Sequence, residues 1–477
     1  MKSSIRKNYL YNLGYQILQM IMPLVTAPYI SRVLGTEGTG VYSYTHSVAY
    51  YFLLAGMLGV NTYGNRSVAR VRDDKDKLNA EFSSIFQLQV LTSFTAIFIY
   101  ICYISIANID YKSIYMIQLL YILSATFDIN WLFFGMEEFR ITVTRKTIIK
   151  ILTAVAVFCF VKKKEDLPIY TVIMAGGYFL GQCYLWFSVK KYVKYVRQPF
   201  ITSIKHLKPM IVLFAPTIAT SIYRVMDKIM IGSLGSYDDV GLYDAADKII
   251  VVCLGVVSAW GTVMLPRISH MFAAGELEQC KKYYVNSIEL ITFITSAMCF
   301  GLAAIAKAFV PAFYGDAFIQ SINIMRGLSI TVLFIGISNT TRNQMLIPMS
   351  REKSYLISVT AGACVNFVIN YIMIQQIGVM GAVIGTLCTE ITVAAIQMYS
   401  VRRITSVRHS VIKMIPPILI GTMMYFVVWL VDAHLTCSLM IKIAIEIITG
   451  AAFFAFLSML YFKTTKRSIV GIIKGFK

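Results

Sequence analysis

Six ionisable side chains fall inside two long apolar segments of this 477-residue chain. Residues 221–250 read SIYRVMDKIMIGSLGSYDDVGLYDAADKII, with Arg224, Asp227, Lys228, Asp244, Asp247 and Lys248 embedded in them. A charge at the centre of a bilayer costs about 3 kcal/mol on insertion scales, so such groups face protein or a water-filled path and mark function by default. Two chemistries fit the set. Lys228–Asp244 and Arg224–Asp247 can form an ion-pair lock, because the three positive and three negative charges cancel. Alternatively, one or more cations face a cavity and hold an anionic head group, for which the arginine fork suits phosphate. Arg224 is then the first candidate for substrate, followed by Lys228 and Lys248. Asp227, Asp244 and Asp247 are the candidates for pairing or ion coupling.

The elements that position these groups are two helices joined by a tight turn near Ser236. Lys228 and Asp244 are each eight residues from Ser236, and Arg224 and Lys248 are each twelve. In an antiparallel hairpin, equal separation from the turn means equal depth. Spacings of three and four put Arg224, Asp227 and Lys228 on one helical face, extended by Thr217, Thr220 and Ser221. A second polar stripe runs through the first apolar segment as Asn8, Asn12, Tyr15, Gln16 and Gln19, followed by Pro23 and Thr26. The second segment adds Tyr42, His46 and Tyr50. Asn12, Gln19 and His46 are candidates for binding a sugar, which wants hydrogen bonds and stacking; interhelical hydrogen bonding is the plainer reading. Arg326 and Glu390 lie near mid-membrane, where a structural pair is expected. Gly378, Gly381 and Gly385 suggest close helix packing. Pro23, Pro28 and Pro216 permit kinks.

The chain as a whole is 57% hydrophobic and 14% charged, with a mean hydropathy of +0.67. A membrane span needs about 20 apolar residues. We read fourteen spans, approximately 9–31, 41–63, 82–106, 113–134, 147–161, 169–189, 209–232, 240–264, 285–306, 318–341, 355–376, 378–400, 411–431 and 439–462. The fold class is therefore all-α and polytopic. No Ala-x-Ala cleavage site follows the first span, which reads as a retained helix. With the N-terminus inside, inner segments hold 33 of the 44 Lys and Arg residues and outer segments 7. That asymmetry places both termini in the cytoplasm. Basic inner loops against anionic lipid account for the net charge of +20, so no nucleic-acid partner is expected. The C-terminal KTTKRSIVGIIKGFK reads as a basic amphipathic tail on the inner surface. Nine scattered cysteines read as small apolar core residues, and the histidines show no ligand spacing, so no metal site is expected.

The two halves repeat weakly. Leu34-Gly35-TEGT-Gly40-Val41-Tyr42 and Leu234-Gly235-SYDDV-Gly241-Leu242-Tyr243 sit at equivalent outer turns, about 200 residues apart. Two six-helix lobes, 1–200 and 201–405, follow, with spans thirteen and fourteen and the tail at 406–477. Paired repeats with a site between them are a transporter plan. Short outer loops argue against a glycan polymerase, and no catalytic residues are assigned. No G-x-x-x-x-G-K-[ST] is present, so transport would draw on an ion gradient, H⁺ or Na⁺, rather than a P-loop ATPase.

Three segments together resemble the polysaccharide flippases of the multidrug/oligosaccharidyl-lipid/polysaccharide export superfamily. They are Pro216-TIATSIYRVMDKIMIG-Ser233 running on to Gly241-LYDAADKI, Asp128-INWLFFGMEEFR-Ile141, and the start with Pro23, Arg32, Leu34, Gly35 and Gly40-VYSY-Thr45. The resemblance spans essentially the whole chain. It implies two lobes around a central cavity, alternating access, and undecaprenyl-pyrophosphate-linked oligosaccharide moved from the inner to the outer leaflet of the bacterial cytoplasmic membrane. It further implies membrane lipids, a polysaccharide polymerase and assembly proteins as partners. The WLFFGMEEFR segment is expected to form a structural elbow at the cytoplasmic rim, with Glu137 or Glu138 as gating partners of loop cations. A cation-coupled drug antiporter and a lipid II flippase are the competing readings.

Overall fold

In a computed structural model the chain is helical, with no strand among the described residues. The structure describes residues 2–465, and side chains at 18, 21–222 and 224–465. Asn12, Gln19 and the rest of the polar stripe before them lie outside the described side chains, as does the basic tail from 466 onward.

The chain divides into two compact units, Met1–Ser221 and Ile222–Lys477. The first contains α1 (Lys2–Met57), α2 (Val60–Val71), α3 (Lys75–Ile106), α4 (Lys112–Phe127), α5 (Asn130–Gly135), α6 (Phe139–Phe160), α7 (Leu167–Val189), α8 (Phe200–Ile204) and the start of α9 (Leu207–Leu234). The second holds the rest of α9, α10 (Tyr237–Ala273), α11 (Leu277–Tyr314), α12 (Ser321–Thr341), α13 (Glu352–Ile377), α14 (Val379–Ser400), α15 (Val407–His434) and α16 (Leu439–Thr464). The boundary falls within α9, and α15 and α16 group with the second unit, packed on α11.

Ten helices among the described residues are long and apolar enough to cross a membrane, and an eleventh results when Phe200–Ile222 and Arg224–Leu234 count as one span. With α1 counted as two arms, fourteen helices occupy the positions of the fourteen expected spans. The arms of α1 meet at Gly35, whose φ of 71° is a left-handed conformation that a Cβ disfavours. The expected loop around 32–40 is therefore a single-residue break. Many helices are apolar on their outer side too. Phe94 and Phe98 on α3 are 54% and 68% exposed, an arrangement that suits lipid rather than water.

The fifth span departs from expectation. The interval 147–161 is too short because Arg140, Arg145 and Lys146 interrupt the apolar pattern before it; the structure continues the helix back to Phe139. Arg145 is buried there. Its guanidinium donates to Gly181 O and Gln182 Oε1 at 2.7 Å each and to Asn130 Oδ1 at 3.1 Å. A cation fixed by neutral acceptors on α5 and α7 folds into the bundle, whereas its charge alone suggests a loop.

The 128–141 segment does form an elbow. Trp131 is fully buried and donates to Gln89 Oε1 at 3.0 Å, while a Cβ on Gly64 would meet its ring at 2.6 Å. That contact seats α2 on α5. Glu137 pairs with Arg72 at 2.7 Å. Nearby, His206 bridges Tyr63 Oη at 2.6 Å and Ser84 Oγ at 3.0 Å, and burial pushes its imidazole below the ordinary value. Cys159, Cys364 and Cys437 are exposed, so not all the cysteines are core residues.

Candidate functional site

The six charges lie in the second unit and separate into two groups. Lys228, from α9, reaches α10 and donates to Asp244 at 2.6 Å and Asp247 at 3.1 Å. Lys248, one turn beyond Asp244, completes the network at 2.6 Å. The reason is local: three- and four-residue spacings on α10 align both carboxylates and Lys248 on the face toward Lys228. The expected Lys228–Asp244 pair is present. The expected Arg224–Asp247 pair is not, because Lys228 already holds Asp247.

Asp227 is not part of this network. It is 3% exposed and its partners are neutral. Asn366 and Asn370 donate their amides to Oδ1 at 2.9 and 2.6 Å. The Tyr243 hydroxyl donates to Oδ2 at 2.8 Å, and the Thr386 hydroxyl lies 2.8 Å from the same oxygen. Thr386 is also 2.8 Å from Ala382 O, so its one proton serves one of the two. Four helices, α9, α10, α13 and α14, thus converge on one carboxylate. Gly385 makes the convergence possible: a Cβ there would sit 1.8 Å from Asn370 Oδ1. Gly381 presses directly on the Met373–Ile374 backbone, whereas Gly378 serves as a turn at φ 60°.

Beside Asp227 opens a cavity of about 220 Å³. Its charged lining is Arg224, Asp227, Asp247, Arg342 and Glu390. Arg224 is exposed into it and makes no ion pair among the described residues. Glu390 is 5% exposed and faces Arg224 and Asp227. The expected Arg326–Glu390 pair does not form, because Arg326 turns to Ala303 O at 3.3 Å. Arg342 lies against the Tyr355 ring, 5.5 Å from its centroid. Lys228 and Lys248 do not line this cavity; they are held by Asp244 and Asp247.

Two cations and three carboxylates do not make a pocket that attracts a bare anion. They make one that can take a cation or a proton at Asp227 and a polar, largely neutral group along Arg224, Glu390 and the hydroxyls. The spacing of Asn366, Asn370 and Thr386 was the missed signal. Asn366 and Asn370 are i and i+4 on a span with no charge, a polar face that needs a buried partner.

In the first unit His46 is half-buried, stacking on Tyr42 with centroids 5.6 Å apart and packing against Tyr121 at 4.5 Å. It joins an aromatic cluster that includes Tyr170, 4.7 Å from Tyr42.

A family described as "Polysaccharide biosynthesis protein" matches residues 5–272. Two proteins named "Putative O-antigen transporter" are each 22% identical. The one from Escherichia coli (strain K12) aligns over 84% of this chain and 97% of its own length, and the one from Shigella dysenteriae over 80% and 96%. Among solved structures, lipid II flippase MurJ in an inward closed conformation superposes with a TM-score of 0.76 at 16% identity. It covers 96% of this chain and 99% of its own. An inward-facing multidrug resistance MATE family transporter of the MOP superfamily gives 0.60 at 15%, covering 88% and 98%. At these identities the structural likeness concerns the fold.

Proposed function

Because the chain belongs to the polysaccharide biosynthesis protein family, within the MOP superfamily, we propose that it is a flippase for lipid-linked oligosaccharide. It carries undecaprenyl-pyrophosphate-linked repeat units from the inner to the outer leaflet of the bacterial cytoplasmic membrane by alternating access. The product feeds cell-surface polysaccharide such as capsule, exopolysaccharide or O-antigen, through a polymerase and assembly proteins. Both termini lie in the cytoplasm. The observation that carries this reading is the family match over 5–272, with two relatives named as O-antigen transporters aligned over most of the chain.

The second unit supplies the coupling. A gradient-driven carrier needs a group that holds a cation in one state and releases it in another. Asp227 suits H⁺ or Na⁺ because its surroundings are neutral oxygens and amides rather than a fixed counter-cation. Asp244 and Asp247 suit the role less, since Lys228 and Lys248 already neutralise them. The Lys228 network holds α9 and α10 in register, and Arg224 with Glu390 offers hydrogen bonds to a polar load.

The same Asp227 cage also favours a second reading, a cation-coupled drug antiporter. One experiment separates the two. Purified protein in proteoliposomes is given a fluorescent lipid-linked oligosaccharide, and leaflet exposure is followed by quenching. The flippase reading predicts faster equilibration than in empty liposomes. No acceleration, with drug efflux under the same cation gradient, would falsify it.

A further inference from the structure

The cavity beside Asp227 has two chemically distinct ends. Its carboxylates, Asp227, Asp247 and Glu390, stand with Arg224 at one of them. The other end carries no carboxylate and is built where three helices start or finish. Asn339 and Arg342 come from the end of α12, Tyr355 from the start of α13, and Gln397 from the end of α14. Gln397 is seven residues beyond Glu390, about 10 Å further along α14 and two turns on, so both stay on one wall. In the proposed orientation these helix ends are the cytoplasmic ones.

The hydrogen bonds at this end fix which way each amide points. Arg342 Nε donates to Asn343 Oδ1 at 3.2 Å, so the Asn343 amide nitrogen faces Asn339 and donates to its Oδ1 at 2.8 Å. Asn339 keeps both amide N–H donors without a partner among the described residues. Gly261 lets the asparagine pair press on α10, since a Cβ there would lie 2.2 Å from Asn343 Nδ2. The Arg342 guanidinium is held over the Tyr355 ring. On α14, the Gln397 amide donates to Ser358 Oγ at 3.1 Å, and Ser358 commits its own proton to Tyr355 O at 2.7 Å. Ser358 can therefore only accept, which fixes the Gln397 nitrogen toward it. Gln397 Oε1 is left buried with no donor among the described residues. A buried carbonyl in that state calls for a partner.

The end thus offers donors from Asn339 and Arg342 and one acceptor, Gln397 Oε1. An ionised phosphate brings acceptors only and would face Gln397 Oε1 unfavourably. A cation brings donors only and would meet Arg342. A hydroxylated or acetamido sugar brings both. Ile335, Val359 and Val393 add apolar wall for the C–H face of a ring. At about 220 Å³ the cavity is below the roughly 300 Å³ at which drug-sized sites begin, which suits a single ring. We propose that this end of the cavity binds one uncharged sugar ring. Its oxygens accept from Asn339 and Arg342, and one O–H or N–H donates to Gln397 Oε1. Resting on the flippase reading, the ring belongs to the lipid-linked oligosaccharide, and these residues select it.

The test is saturation-transfer NMR on the full chain in nanodiscs, titrated with the methyl glycosides of glucose and of N-acetylglucosamine. Inorganic phosphate is the competitor. Wild type is expected to bind at least one glycoside. Gln397→Met keeps the side-chain length without the acceptor and should weaken that glycoside about tenfold, as for loss of one hydrogen bond. Gln397→Glu keeps an acceptor oxygen and should stay within about threefold of wild type. Gln375→Met, on an exposed part of α13, is the matched control and should bind as wild type does. Thermal unfolding of each variant, followed alongside, separates loss of binding from loss of fold. The inference is overturned if wild type binds neither glycoside, if folded Gln397→Met binds as wild type does, if folded Gln397→Glu loses as much as Gln397→Met, or if phosphate displaces the glycoside. The two readings fail separately. Glycoside binding that depends on Gln397, without oligosaccharide flipping, supports the sugar site and removes the flippase. Flipping with glycoside binding indifferent to Gln397 does the reverse.

Discussion

Replacing Asp227 tests whether a neutral cage around one carboxylate is a structural joint or a coupling site. Asp227→Asn keeps the shape. Its oxygen still accepts from Asn366 and Asn370, and its new amide faces the Tyr243 and Thr386 hydroxyls, which rotate to accept. It also relieves burial of a charge, so we expect stability within about 1 kcal/mol of wild type. Asp227→Ala removes the acceptor. Thr386 retains Ala382 O, and Tyr243 retains Thr386 Oγ1 at 3.0 Å. Asn370 keeps a long bond to Asn366 Oδ1 at 3.3 Å, which leaves Asn366 as the stranded amide and Asn370 half-satisfied. At about 1–3 kcal/mol for each stranded donor, the cost is about 2–4 kcal/mol. Unfolding in detergent should therefore rank wild type and Asn together and Ala well below. Transport should rank differently: Asn, having lost its charge, should fold normally but lose its response to an imposed H⁺ or Na⁺ gradient. Equal stability of Ala and Asn would refute the cage, and a wild-type gradient response in Asn would refute the coupling.

Gly385→Ala should give the same loss of gradient response, because its Cβ would displace the Asn370 side chain. An overpacking cost of about 1–3 kcal/mol is expected. Gly176→Ala, with nothing within 4 Å, is the control and should be nearly neutral in thermal unfolding. Asp244→Asn should cost about 3 kcal/mol, the low end for breaking a buried pair, because Lys228 keeps Asp247 and the Lys248 side chain is 39% exposed. Combining it with Lys228→Gln should cost clearly less than the two singles added, and additivity would show that the network holds nothing. The His206 junction should weaken in acid. Burial lowers its imidazole in the folded state, so the released state takes the proton first as pH falls below about 6.5. Hydrogen exchange in 200–210 should accelerate there in wild type, and His206→Gln should remove the pH dependence.

The fold was largely legible because bilayer chemistry writes itself along the chain. Long apolar runs set the helices, and Gly35 and Gly235 marked the turns. The errors occur where charge and depth conflict. Arg145 precedes the expected span 147–161 because charge next to an apolar run suggests an interface, and Gly181, Gln182 and Asn130 that accept it lie 15 to 37 residues away in sequence. The pairing of the six charges was half legible. Lys228 with Asp244 follows from hairpin register, since the partners are joined by one short turn.

What the sequence alone determined is what local patterns fix: an all-α membrane protein, its span positions, and a buried charge cluster on two adjoining helices. What only tertiary structure decided is the division of labour within that cluster. Asp227 parts from its neighbours because α13 and α14 bring Asn366, Asn370 and Thr386 to it across about 140 to 160 residues of chain. The same holds for Glu390, which lines one cavity with Arg224 while Arg326 turns to Ala303 O. Helical periodicity says which face a side chain occupies. Only packing says what stands opposite, and opposite partners decide whether a buried charge locks, binds or couples.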